Sequence, residues 1–263
     1  MSKIKIVCSD CIDCVKKMDD NVVDLLITSP PYNLRLGDLT GRVKPDLLSQ
    51  VKYDVYNDDM EHSQYISWLE DIFSKVYRIM SPGGRVCINI GDGKNGRIPT
   101  HVDISHFMVN KIGYTPFTTI IWNKNQVTSR CSWGSYMSPS SPCFPSPFEY
   151  ILIFSKGDRK LQKKGKSDIS KDDFIKWAYG MWSFSASQAK LIGHPAPFPE
   201  ELPYRLIKML SWEKSLIFDP FMGSGTTGVV CKKTGRDFIG TDISEKYCKL
   251  AQERIDKVED EIF

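Results

Sequence analysis

Two short runs hold the residues whose types and spacing could do chemistry. Near the start, Thr28-Ser29-Pro30-Pro31-Tyr32-Asn33 sets a hydroxyl, two prolines and a phenol in succession. Each proline locks φ and gives up its N–H, so the Pro30 carbonyl is held in one direction beside the Ser29 hydroxyl. Near the end, Asp219-Pro220-Phe221-Met222-Gly223-Ser224-Gly225-Thr226-Thr227 carries the spacing Gly223-x-Gly225-x-x-Gly228. Glycines so placed let the backbone approach a ligand without a Cβ clash. Asp242 follows the first of them by about 19 residues, close to where an acidic residue meets a ribose in dinucleotide sites. Both runs come directly after apolar stretches, Val22–Ile27 and Leu216–Phe218, which read as buried strands. Open α/β sheets build their sites at such strand ends. A rigid turn or an exposed polyproline ligand is the bland alternative for the proline pair, and it fits poorly with a buried strand immediately before it.

The first run resembles the catalytic tetrapeptide of amino-methylating DNA methyltransferases, and the second resembles their S-adenosylmethionine loop. Catalytic motif first and cofactor motif last is the permuted order of the β group of that family. The glycine pattern alone also suits NAD. However, only one strand–helix unit remains after Asp242, whereas a dinucleotide domain continues into a second half. The resemblance implies cofactor contacts at Asp10, Cys11, His194, Phe198, Asp219, Phe221, Gly223, Gly225, Thr226 and Asp242. It implies that Phe221 packs on adenine, Asp242 takes the ribose hydroxyls and Asp10 reads the adenine amine. It assigns catalysis to Ser29, Pro30, Pro31 and Tyr32. An exocyclic amine is a poor nucleophile because its lone pair is delocalised into the ring. The Ser29 hydroxyl and the Pro30 carbonyl suit the two acceptors that would make it more pyramidal. Tyr32 suits stacking of an extruded base, worth about 1–3 kcal/mol. Ser29, where other members carry Asp, is nearer to the cytosine-N4 enzymes, with adenine-N6 methylation as the rival. A silent S-adenosylmethionine- or DNA-binding module is the alternative of another class. Carbon-5 methylation would need a cysteine nucleophile, and Pro142-Cys143 sits in a Ser/Pro-rich stretch rather than at a strand end.

The elements that must position these residues are also readable. Seven strands are expected, at Ile4–Val7, Val22–Ile27, Arg85–Ile90, Phe117–Trp122, Tyr150–Phe154, Leu216–Phe218 and Phe238–Gly240. Apolar residues at helical spacing from Tyr65 to Tyr77 predict a helix ended by the turn Ser81-Pro82-Gly83-Gly84. Leu202–Met209 and Ser244–Val258 are two more, the latter capped by Ser244. Strands alternating with helices predict an α/β fold. The resemblance specifies a Rossmann-like, mostly parallel seven-stranded sheet with helices on both faces and circularly permuted motifs. Residues 1–122 read as a catalytic half, 123–193 as a target-recognition insertion around a strand at 150–154, and 194–263 as the cofactor half.

Composition sets the remaining bounds. With 263 residues, 41% hydrophobic and 25% charged, the chain can bury a full core. A net charge of +3 does not by itself demand a nucleic-acid partner. Double-stranded DNA, expected from the resemblance, would need local patches. Lys156, Arg159, Lys160, Lys163 and Lys164 read as a phosphate-binding patch, against the alternative of a solvated turn. Arg130 and the polar and aromatic residues of Asn123–Pro147 are of the types that read base edges. Site specificity and a separate cognate restriction endonuclease are expected. Cys8, Cys11 and Cys14 are spaced like metal ligands but lack a matching fourth position, so no metal is expected. The start shows no signal-peptide layout, and a cytoplasmic location is the default expectation.

Overall fold

In the computed structural model the described residues are 2–33, 54–55, 59–94, 96–125, 134–142, 144, 146–186 and 197–258. They form a mixed sheet of eight strands in the order β1-β8-β7-β2-β3-β5-β4-β6. The strands are β1 Ile4–Cys8, β2 Val23–Thr28, β3 Met80–Ile90, β4 Thr115–Asn123, β5 Phe148–Ser155, β6 Met181–Ser183, β7 Leu216–Asp219 and β8 Asp237–Asp242. The helices are α1 Cys11–Lys16, α2 His62–Ile79, α3 Thr100–His106, α4 Lys171–Trp177, α5 Glu201–Leu210, α6 Thr226–Lys233 and α7 Glu245–Asp256, and α3 runs into a π-helical turn at Phe107–Ile112. β5 is antiparallel to both its neighbours, and all other pairs are parallel.

The seven expected strands are all present. The eighth, β6, lies within the expected insertion and pairs with the end of β4 at Ile121↔Met181. Three residues are too few to reveal a period of two. The turn expected at Ser81–Gly84 is instead part of β3, where the register moves from Val23↔Met80 to Leu25↔Arg85. Gly83 has φ +74°, and a Cβ there would lie 2.0 Å from the Lys160 carbonyl oxygen. Only glycine fits that approach.

Side chains of β2 feed two cores, alternating from Leu25 to Ile27 after a register shift between Val23 and Leu25. Val23 and Leu26 pack under α2, against Leu69, Ile72, Phe73 and Val76. Leu25 and Ile27 face α5, with Leu202, Leu206 and Ile207, on the other side. Burial of each such side chain contributes about 1.5–3 kcal/mol. Ser244 caps α7 as expected, its Oγ accepting from Tyr247 N at 3.2 Å. The parallel strands β1, β8, β7, β2 and β3 all end on one side of the molecule. Since β5 runs the other way, its beginning, at Phe148 and Glu149, reaches that same side.

Candidate active site

A cavity of about 320 Å³ opens at these strand ends, walled in part by Asp10, Trp68, Phe198, Phe221, Asp242 and Tyr247. Asp10 follows β1, and its Oδ1 accepts from Ile12 N at 2.8 Å, capping α1. Cys8 pairs with Asp242 across β1 and β8, which brings the two acidic positions together. Asp242 Oδ2 accepts from Gly223 N at 3.0 Å and Oδ1 from Ser244 N at 2.8 Å. Each oxygen keeps a further lone pair, so the carboxylate can still hold a diol. Burial raises its pKa, against the pull of those two N–H groups. Gly225 has φ +75°, and a Cβ there would meet the Ala251 Cβ at 2.6 Å. The loop therefore closes onto α7 only with glycine. Phe221 meets Trp68 of α2 at 5.5 Å between ring centroids. Trp68 and Tyr247 were not expected in this wall; in the sequence each is one more apolar position on an amphipathic helix.

Cys11 and Thr226 also line the cavity. Burial pushes the Cys11 thiol up to about 12, so it stays protonated and acts as a small apolar surface. Asp219 is another of the residues expected at the cofactor. It is 1% exposed and lies behind the loop rather than in the cavity wall. Its Oδ1 accepts from Thr28 Oγ1 at 2.7 Å and Phe221 N at 3.1 Å, and Oδ2 accepts from Thr227 Oγ1 at 2.8 Å. Burial still lifts its carboxyl to about 6, above what these three donors pull back. Asp219 thus ties the two chemical runs to each other. His194 and Arg130 lie outside the described residues.

At the adjoining end of β2, Ser29, Pro31 and Tyr32 line the same cavity. Pro30 is buried behind them. Tyr65 of α2 donates to the Pro31 carbonyl at 2.7 Å, and Asn33, at φ +53°, exchanges two hydrogen bonds with the Met60 backbone. The run is therefore gripped on both sides of Tyr32. Ser29 Oγ lies 3.1 Å from the Tyr32 hydroxyl and 3.2 Å from the Asn89 carbonyl oxygen. Tyr32 in turn donates to Glu149 Oε2 at 2.8 Å. Asn89 and Glu149 belong to β3 and β5 and carry no motif signal; only the sheet brings them here.

The expected lysine patch lies away from this cavity. Lys156 Nζ donates to Asn21 Oδ1 at 2.8 Å and to the Met80 carbonyl at 2.9 Å, at the beginning of β3. Lys163 pairs with Asp24 Oδ1 at 2.7 Å, near the beginning of β2. Arg159 donates to the Phe117 carbonyl and stacks over that ring at 4.9 Å. Lys160 and Lys164 are exposed beside them. The cluster therefore sits at the far end of the sheet from Ser29. β2 alone separates the two ends by about 16 Å, at roughly 3.3 Å per residue.

Comparison with known proteins places this arrangement among relatives. The family model N6_N4_Mtase, described as DNA methylase, matches residues 23–253. Type II methyltransferase M.MjaI of Methanocaldococcus jannaschii is 31% identical, over 91% of this chain and 88% of its own. M.MjaVI of the same organism, also a Type II methyltransferase, is 34% identical over 64% of this chain and 79% of its own. Among solved structures, the putative DNA modification methylase TTHA0409 of Thermus thermophilus, complexed with S-adenosyl-L-methionine, superposes with a TM-score of 0.71 at 25% identity, covering 100% of this chain and 98% of that one. PvuII DNA methyltransferase (cytosine-N4-specific) shares the fold with a TM-score of 0.72 at 21% identity, over 100% of this chain and 89% of its own.

Proposed function

Because the chain belongs to the N6_N4_Mtase family of DNA methylases, we propose that it transfers a methyl group from S-adenosylmethionine to the exocyclic N4 of a cytosine turned out of duplex DNA. The class of enzyme, an S-adenosylmethionine-dependent DNA amino-methyltransferase, follows from the family. The choice of cytosine is our reading, and it rests on Ser29 standing at the first position of the motif, in the wall of the cavity. A neutral hydroxyl there offers the amine an acceptor without a formal charge.

The residues present fit the cofactor. The cavity has the volume for it, Phe221 and Trp68 offer an aromatic wall, and Gly223 lines the cavity with its N–H on Asp242. When bound, S-adenosylmethionine supplies an electrophilic methyl carbon on a sulfonium. Asp242 would hold the ribose hydroxyls, and Asp10, with its second oxygen, the adenine amine. Ser29 Oγ and the Pro30 carbonyl would accept from the target amine and free its lone pair toward the methyl carbon. Tyr32 would stack on the flipped base, offsetting part of the few kcal/mol that flipping costs.

The β4–β5 connection leaves the sheet at the catalytic end and presents Tyr136, Met137 and Phe144 to solvent. That location and chemistry suit contact with the grooves of DNA, so we assign target recognition there. The Type II methyltransferase relatives support a restriction–modification role, in which a separate endonuclease cuts the same site. The test is to methylate DNA with the purified protein and isotopically labelled S-adenosylmethionine, digest it to nucleosides and weigh the product. N4-methylcytosine is expected, whereas labelled N6-methyladenine would assign the other base on the same scaffold.

A further inference from the structure

Glu149 lies outside every motif, yet it ends a chain of hydrogen bonds that starts in the cavity. Ser29 Oγ is 3.1 Å from the Tyr32 hydroxyl, which is 2.8 Å from Glu149 Oε2. Asn89 Nδ2 lies 2.7 Å from each of the last two oxygens. Lys124 Nζ reaches Glu149 Oε1 at 2.8 Å. Donor and acceptor capacities fix the direction of this chain between Tyr32 and Glu149. A carboxylate only accepts, and an amide NH₂ only donates. Turning the Asn89 amide over would set its oxygen against the Glu149 carboxylate, so Nδ2 belongs where it is placed. The Tyr32 proton therefore goes to Glu149, and the Ser29 hydroxyl has two acceptors in reach, the Tyr32 oxygen at 3.1 Å and the Asn89 carbonyl oxygen at 3.2 Å. With either one, Ser29 Oγ keeps a lone pair free to accept.

We propose that Glu149 is the terminal acceptor of a proton path, Ser29 to Tyr32 to Glu149, that drains the proton released when the target amine is methylated. The proposal rests on the methyl-transfer reading above. The amine nitrogen forms its bond to the methyl carbon as the sulfur–carbon bond breaks and the sulfur leaves neutral. The nitrogen, now positively charged and acidic, gives one proton to Ser29 Oγ. Ser29 passes its own proton to the Tyr32 oxygen, and Tyr32 passes its own to Glu149 Oε2. Both hydroxyls end unchanged, the base ends neutral and one carboxylate becomes a carboxylic acid. Among the described residues, the titratable groups facing Glu149 are Lys124, beyond the end of β4, and Tyr32, beyond the end of β2, with the neutral Asn89 from β3. The Glu149 and Lys124 side chains are 13% and 21% exposed, which gives water access to carry the proton off between turnovers.

Tyr32→Phe keeps the stacking ring and removes the relay hydroxyl, while Glu149→Gln keeps the shape and removes the acceptor. Single-turnover methyl transfer is expected to fall by about tenfold or more in each. Because both cut one path, the double variant should be no slower than the slower single variant. Affinity for S-adenosylmethionine should stay within about twofold. Infrared difference spectra with labelled glutamate should show a carboxylic-acid band rising in wild type during one turnover and absent from Glu149→Gln. Wild-type rates in both single variants, or losses that multiply in the double, would remove the path while leaving the methyl-transfer reading in place. A wild-type protein that methylates no DNA would overturn both.

Discussion

Thr28 Oγ1 donates to Asp219 Oδ1 at 2.7 Å, and this buried bond joins two strand ends that are 191 residues apart in the chain. The residue after Thr28 is Ser29, and the loop after Asp219 contains Gly223. A methyl donor held by the second loop can meet an amine held by the first only if the two ends keep a fixed offset. A misplacement of about 1 Å costs on the order of a hundredfold in rate, so the bond acts on reactivity as well as on stability.

Thr28→Val preserves shape and removes the donor, leaving Asp219 Oδ1 with Phe221 N alone. The expected loss is about 1–3 kcal/mol of stability. Urea unfolding would show it as a lower midpoint with unchanged slope. A midpoint equal to that of wild type would mean that the two ends are held in place by packing alone.

Asp219 also gives stability a signed pH dependence. Its carboxyl stands at about 6 when folded, against 3.8 as the ordinary value. Between these values the folded chain holds a proton that the unfolded chain has released. This group's contribution therefore favours folding more as pH falls through that window, is fully present below the unfolded value and is lost as pH rises above about 6. Measured against Asp219→Asn at each pH, wild type should gain up to about 3 kcal/mol between pH 7 and pH 4. A flat difference would contradict the raised value.

Asp242 should govern cofactor affinity in a related way. Burial raises its pKa, so on acidification it loses the charge that accepts the ribose hydroxyls sooner than an exposed carboxylate would. Calorimetry should show S-adenosylmethionine affinity falling early as pH drops. Asp242→Ala should bind about 10- to 100-fold more weakly, equivalent to about 1.5–3 kcal/mol, and lack that pH step. Equal affinity in the two proteins would remove Asp242 from the site.

The sequence showed the strands, the helices at Tyr65–Tyr77 and Leu202–Met209, and the two motifs, because each rests on local periodicity or on backbone chemistry that glycine and proline advertise. The direction of β5 was hidden. An apolar run reads the same whichever way it lies in the sheet, and a parallel β5 would have ended at the active site with Lys156 and its neighbours beside it. The antiparallel strand instead sends them to the opposite end. Glu149 was hidden for the same reason, since its distance to Tyr32 is set by sheet order and not by spacing.

Replacing Lys160, Lys163 and Lys164 together with glutamine should accordingly leave DNA affinity and its salt dependence unchanged. Lys163 itself is half exposed in its pair with the buried Asp24, which keeps a second partner in Ser81 Oγ at 2.9 Å. A shallower salt slope, by about one unit per lost phosphate contact, would return this surface to the DNA interface.

Ser29 is the residue on which methyl transfer turns. If its oxygen accepts from the target amine chiefly as the nitrogen attacks, Ser29→Ala loses an interaction made in the transition state rather than in the resting complex. Single-turnover methyl transfer, with labelled S-adenosylmethionine and saturating duplex DNA, reads that step directly. A rate lower by about 10²-fold or more is expected, with cofactor affinity unchanged. Methyl transfer by Ser29→Ala at the wild-type rate would contradict it.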